Sequence, residues 1–211
     1  MNAALIAAGK KFARLTTRAV VARPELWRFF RGPLRAQFDA LAPEWDEILG
    51  DEALAPLVAA LARLDDVPER VLDVGTGTGK AARLVAERFP RTGVLGVDLS
   101  PAMVEQARSV LPAELAGRVR FEVADASALP CDNGEFDLVV LLNMIPFFDE
   151  LARVTAPGGT VVVAHVSGPW TPIWTPPATL REHLAVLGFE RFEELAAGEG
   201  TALLARKPAG E

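Results

Sequence analysis

Val71-Leu72-Asp73-Val74-Gly75-Thr76-Gly77-Thr78-Gly79-Lys80 joins an apolar strand to three alternate glycines and then to a helical pattern at Ala81, Ala82, Leu84 and Val85. Glycine lacks a Cβ, so the chain can turn sharply here and bring its backbone close to a ligand. The helix that follows aims free N–H groups and the positive end of its dipole at the same place. Strand, glycine turn and helix start together predict a cradle for a nucleotide-like cofactor.

Two common cradles miss by one position. A dinucleotide fingerprint starting at Gly75 and Gly77 needs Gly or Ala where Lys80 stands. A phosphate-binding P-loop needs four residues between its glycines, whereas Gly75 and Gly79 enclose three and Lys80 is followed by Ala81. The pattern Asp-x-Gly-x-Gly-x-Gly instead resembles motif I of the class I S-adenosylmethionine-dependent methyltransferases. Further landmarks follow in that family's order. Val94-Leu95-Gly96-Val97 ends in Asp98, a carboxylate able to accept two hydrogen bonds from a ribose diol, and Ser100-Pro101 makes a strong helix start. Val119–Val123 leads to Ala124-Asp125-Ala126, Phe136–Leu142 reads as a fourth strand, and Pro157-Gly158-Gly159 precedes a valine-rich fifth. The resemblance covers roughly residues 38–206.

The resemblance implies S-adenosyl-L-methionine as cofactor. It implies contacts from Asp73, Gly75, Thr76 and Gly77 at the methionine end, Asp98 at the ribose, and Leu99, Met103, Asp125 and Ala126 around the adenine. Asn143 follows the fourth strand and could touch cofactor or acceptor. Each carboxylate also has a plainer reading: Asp73 as a tie for the glycine loop, and Asp98 and Asp125 as turn formers. His165, at the carboxyl end of the fifth strand, is the candidate general base, against a buried histidine satisfied by backbone groups. His183 borders the Leu180, Leu184 and Leu187 stripe and reads as structural, and Asp149 as a helix start. No metal site is expected.

The strand–helix alternation predicts an α/β fold. Its form is a Rossmann-like seven-stranded, mostly parallel sheet with helices on both faces. Strands are expected near 70–74, 93–97, 119–123, 136–142 and 159–166, with a helix near 178–187. An antiparallel hairpin, Phe189–Leu195 with Thr201–Ala205, closes the sheet, as the resemblance implies. Helices are expected at 3–22, 25–41 and 46–63, with Pro24 and Gly32-Pro33 punctuating the region. Residues 1–37 read as a basic helical N-terminal extension and 38–211 as the methyltransferase domain.

Charge sorts the same way. The chain carries a net charge of −6. Residues 1–38 hold eight Lys or Arg and one Glu, leaving −13 on the remainder. That remainder argues against a nucleic-acid surface. Leu5, Ala8, Phe12, Leu15 and Ala19 fall on one helical face, with Lys10, Arg14 and Arg18 on another. Such a helix could make peripheral contact with anionic lipid. Packing of the apolar stripe on the domain or on a second subunit is the simpler expectation, and oligomeric state stays open. The single Cys131 excludes an intrachain disulfide and suits a reducing cytoplasm.

Methyl transfer from a sulfonium mainly needs donor and acceptor held in attack geometry with water excluded. The expected function is therefore transfer to a small, partly apolar acceptor. The alternatives are an NAD-dependent oxidoreductase and a non-catalytic S-adenosylmethionine-binding protein. The segment after the fourth strand is short, which predicts only a brief helix there, and Asn143-Met144-Ile145-Pro146 is not the amide-methylating motif of the family. The loop Ser167–Pro177, with Trp170 and Trp174, is expected to wall an apolar acceptor pocket with Phe147 and Phe148, or else to seal the N-terminal helices onto the sheet.

Overall fold

The computed structural model describes residues 3–50 and 52–210, with the side chains of 3–7 and 52 set aside. Seven strands form one sheet: β1 (Arg70–Val74), β2 (Gly93–Asp98), β3 (Val119–Val123), β4 (Phe136–Leu142), β5 (Thr155–His165), β6 (Glu190–Ala197) and β7 (Gly200–Arg206). Their order is β3-β2-β1-β4-β5-β7-β6. β1 to β5 run parallel, and β7 is antiparallel to both β5 and β6. The expected sheet and closing hairpin are thus present. Asp137 Oδ2 fixes the bottom edge of β1 by accepting the Glu69 and Arg70 N–H groups, each at 2.9 Å.

Strand side chains alternate between faces, and the core divides accordingly. Val71, Val94, Leu138, Val140, Val162 and Leu204 pack with α4 (Ala55–Leu61), α5 (Lys80–Arg88) and α6 (Pro101–Ser109). Leu72, Leu95, Val139, Leu141, Val161 and Leu203 pack with α1 (Ala3–Ala22), α2 (Trp27–Leu41), α7 (Phe148–Val154) and α8 (Pro177–Val186). Both faces are covered, which explains why the strands read as continuous apolar runs. α7 is as brief as the short segment after β4 predicts.

Three N-terminal expectations change. The helix expected over 46–63 is instead α3 (Trp45–Leu49), a left-handed turn at Gly50 (φ 60°), a single 3-10 turn and α4. Gly50 ends α3 because its conformation is open to glycine and strained for other residues. Pro33 does not punctuate: it sits inside α2, on the exposed side, and the helix runs through it. The third change is the packed face of α1. Ala13, Thr16, Thr17 and Val20 are buried, while Ala8 and Leu15 face outward and Phe12 is half-buried. Leu5 lies outside the described side chains. Small residues win the contact because they let the helix sit close to the domain, and Thr17 Oγ1 satisfies itself on Ala13 O at 2.8 Å.

Candidate active site

The glycine turn reaches its shape through three left-handed residues, Gly75 (φ 73°), Gly77 (φ 54°) and Gly79 (φ 80°). A side chain at position 75 would put its first carbon 2.7 Å from Met144 Sδ. The Gly75 and Thr76 N–H groups bond to Val97 O at 2.8 and 2.9 Å, which locks the turn to the end of β2. Its concave side opens on a cleft beyond the carboxyl ends of the parallel strands, where ligands of such sheets bind.

Two carboxylates stand at the floor. Asp73 is fully buried, and Thr76 Oγ1 donates to its Oδ2 at 2.6 Å. Its Oδ1 has no hydrogen-bond partner. Burial pushes the Asp73 carboxyl up to about 7, with the Thr76 hydrogen bond and the nearby backbone dipole of Ala82, which forms no hydrogen bond of normal geometry with it, offsetting part of the shift. Asp98 receives the Gly77 N–H on Oδ2 and the Ser100 N–H on Oδ1, both at 2.9 Å. Its pKa is also raised by burial, which those two amides oppose. Ser100 caps α6, its Oγ accepting the Met103 N–H at 3.1 Å.

The cleft wall includes Asp73, Gly75, Thr76, Gly77, Asp98, Leu99, Met103, Ala126 and Asn143. The sequence-predicted cofactor residues therefore converge, with one exception. Asp125 is not on the wall, although Ala124 and Ala126 are. Its Oδ1 accepts the Trp27 indole N–H at 2.8 Å and the Ser127 amide at 2.9 Å, and Arg31 approaches Oδ2 at 3.5 Å. Asn143 holds a left-handed backbone (φ 55°) and its Oδ1 accepts the Val166 N–H at 3.1 Å, so it joins the ends of β4 and β5 while lining the cleft.

His165 is not brought to the cleft. It is buried, its Nε2 accepts the Thr175 N–H at 3.4 Å, and burial lowers its pKa to about 4. That is the backbone-satisfied arrangement. His183 stacks on Phe148, centroids 4.4 Å apart. The aromatic loop also departs from the acceptor-wall expectation. Trp170 is 83% exposed, Trp174 is absent from the wall, and Phe147 packs edge-on against Trp27 at 5.2 Å. From that loop only Ile173 faces the cleft.

The N-terminal helices supply what the strand motifs could not reveal. Trp27, Leu34, Arg35, Phe38, Trp45 and Leu49 form the outer wall. Polar contacts pin them to the cradle: Ser100 Oγ donates to Asp39 at 2.6 Å, Thr78 Oγ1 donates to Asp46, and Lys80 Nζ donates to Asp46 O at 3.1 Å. Phe38 meets Trp45 edge-on at 5.4 Å. The density of tryptophan before residue 46 was the one available signal. Among the described residues no cluster of side chains suited to a metal ion occurs, and no helix is long and apolar enough to cross a membrane.

Comparison with known proteins agrees with this geometry. A family described as a methyltransferase domain matches residues 71–159. A demethylmenaquinone methyltransferase of Thermus thermophilus is 43% identical over 50% of this chain and 51% of its own. A malonyl-[acyl-carrier protein] O-methyltransferase of Halorhodospira halophila is 37% identical over 62% of this chain and 47% of its own. The chain thus spans about half the length of these curated relatives. In fold it is similar to Haemonchus contortus phosphoethanolamine N-methyltransferase 2 in complex with S-adenosyl-L-methionine. There the TM-score is 0.65, with 20% identity over 81% of this chain and 57% of the other. The Asp-x-Gly-x-Gly-x-Gly cradle, the strand order with its closing hairpin and these relatives converge on one statement: residues 71–159 match a methyltransferase domain, of the class I S-adenosylmethionine-dependent type.

Proposed function

We propose that this chain moves the methyl group of S-adenosyl-L-methionine to an apolar, ring-bearing small acceptor, of the kind named for its demethylmenaquinone methyltransferase relative. In this reading residues 1–37 are a basic helical extension that helps close the cleft of the domain formed by 38–211. The cofactor supplies an activated methyl group on a sulfonium. Asp73 Oδ1, buried and without a hydrogen-bond partner, suits the ammonium of its methionine end. Asp98 has carboxylate lone pairs left for the ribose diol beyond the two amides it receives. Leu99, Met103 and Ala126 offer an apolar slot for the adenine.

One observation carries the acceptor class. The sheet order puts the β2 and β3 ends on the adenosine side and the β4 and β5 ends on the other. On that other side the cleft is lined by Leu142, Asn143, Met144, Ile145 and Ile173, none of them titratable. Such a wall desolvates an apolar ring and offers no strong base. The acceptor must then bring its own acidic proton, as a hydroquinone does, and the residues here orient it and exclude water. Arg35, which could attract an anionic acceptor, instead pairs with Asp39 at 3.5 Å, and Asp39 is tied to Ser100 on the adenosine side. The lone Cys131 thiol, pushed up to about 11 by burial, is in keeping with an unreactive cysteine in a reducing cytoplasm.

The test pairs calorimetric titration of S-adenosylhomocysteine and NAD with transfer of labelled methyl to two acceptors, a naphthohydroquinone and a malonyl thioester. Binding of S-adenosylhomocysteine alone and methylation of the hydroquinone are expected. Tighter binding of NAD would overturn the cofactor, and preferential methylation of the thioester would overturn the acceptor. Binding without turnover on either would favour a non-catalytic role.

A further inference from the structure

We propose that the outer face of α1, with the loop tip at Trp170, docks on an anionic lipid bilayer and holds the cleft beside it to collect a lipid-soluble acceptor. The acceptor half rests on the reading above; the docking half stands on surface chemistry alone.

Two large apolar side chains lie on the outside here without a partner in the fold. Trp170 is 83% exposed and Leu15 63% exposed. They belong to one surface, because the Arg14 guanidinium donates to Pro169 O at 3.3 Å and Trp170 O at 3.4 Å. That clamp fixes the loop tip against the helical turn that carries Leu15. Lys11 and Arg18 flank Leu15 at i−4 and i+3, the same face of the helix, and Lys10 lies four residues before Arg14, on the side of the clamp; all three are exposed. A single exposed leucine is ordinary. An exposed tryptophan and leucine ringed by cations, on a chain whose other residues carry −13, is a charge-sorted surface.

The sorting selects the occupant. Tryptophan prefers the bilayer interface, where its ring is half-desolvated and its N–H stays wet. Lysine and arginine beside it gain from the negative surface potential of anionic lipid. The acidic remainder would be repelled, so one orientation results, with α1 toward the lipid. The loop then links surface to site: three residues beyond Trp170, Ile173 turns inward to the cleft wall. The other face of α1 is already used, its Ala13, Thr16, Thr17 and Val20 being buried against the domain.

Vesicle flotation of the full chain tests this, using phosphatidylcholine vesicles with and without phosphatidylglycerol. Binding is expected only to the anionic vesicles, and to weaken with salt. Leu15→Ser with Trp170→Ala should lower it at least tenfold. Lys10→Gln, Lys11→Gln and Arg18→Gln together should remove most of the salt-sensitive part, about fivefold per cation. All variants should keep S-adenosylhomocysteine affinity, since none of these residues lines the cleft. Absence of vesicle binding, equal binding to neutral vesicles, or binding indifferent to both sets of substitutions overturns the proposal. So does light scattering that shows a dimer dissolved by Leu15→Ser and Trp170→Ala without any lipid binding. Failure here leaves methylation of a detergent-solubilised acceptor intact. Vesicle binding without any methyl transfer would strike the acceptor reading alone.

Discussion

Trp27 donates its indole N–H to Asp125 at 2.8 Å, joining α2 to the loop after β3 across 98 positions of sequence. The carboxylate that the family resemblance assigns to the adenine is therefore held by the N-terminal helix in this structure. Arg31, one turn further along α2, adds a second contact to the same group. In this structure that side chain serves closure of the N-terminal helices.

Replacing Trp27 by Phe keeps an aromatic ring for Phe147 and removes the donor. A hydrogen bond to a charged group contributes about 1.5–3 kcal/mol. Trp27→Phe should lower the unfolding midpoint and weaken S-adenosylhomocysteine binding about tenfold by calorimetry. Unchanged affinity would mean that α2 does not help hold the cofactor end of the cleft.

Gly75→Ala should be worse for binding than for folding. The new methyl would meet Met144 Sδ at 2.7 Å with the backbone at φ 73°, and a left-handed alanine alone costs on the order of 1 kcal/mol. Relief of the clash pushes Met144 into the cleft. A loss of cofactor affinity of more than tenfold is expected, partly recovered in Gly75→Ala with Met144→Ala. No recovery in the double variant would show that the backbone, not Met144, is the obstacle.

Asp73 should make cofactor binding pH-dependent. Its carboxyl titrates near 7 in the free protein, and only the ionised form attracts an ammonium. S-adenosylhomocysteine affinity should therefore climb as pH rises toward 7. It should fall again at higher pH, once the ligand's own amino group loses its proton. Asp73→Asn should weaken binding and flatten the acid limb. An acid limb that survives the substitution would assign it elsewhere.

Asp73 and His165 should also oppose one another in stability. Asp73 titrates near 7 when folded against 3.8 in the unfolded chain, so the folded state holds the extra proton between those values and stability falls as pH rises. His165 titrates near 4 when folded against 6.5 unfolded, so the unfolded chain holds the extra proton and stability rises with pH. The two slopes cancel over most of pH 4–6.5. Asp73→Asn should expose an acid-side loss, on the order of 3 kcal/mol for a shift of this size. His165→Gln should give a protein that grows more stable as pH falls toward 4, with transfer still proceeding. Denaturant unfolding at several pH values would read both, and identical pH profiles for the three proteins would refute the pairing.

Much of the site is legible because its parts are local. A glycine turn, a carboxylate at a strand end and a Ser-Pro helix start each occupy a few consecutive residues, and their chemistry survives without knowledge of the neighbours. Strand periodicity then fixes the end of the sheet at which they gather. The Trp170 loop was less legible, because which of its side chains face inward depends on the 3-10 turn at Gly168–Trp170 and on Arg14, 155 positions from Pro169.

By itself the sequence determined the parallel sheet, the closing hairpin, the S-adenosylmethionine cradle and the convergence of Asp73, Asp98, Met103 and Asn143. The sheet and the glycine turn follow from backbone preference and side-chain type within short segments, while S-adenosylmethionine and the roles of these residues come from the family resemblance. Only the tertiary structure decided that α2 and α3 wall the cleft, that Asp125 answers to Trp27, that His165 is sealed away, and that α1 packs by its small residues while Leu15 faces outward. Those outcomes turn on which of two chemically acceptable faces is buried. That choice is made by the fit of distant surfaces, whose contacts are set by the whole fold.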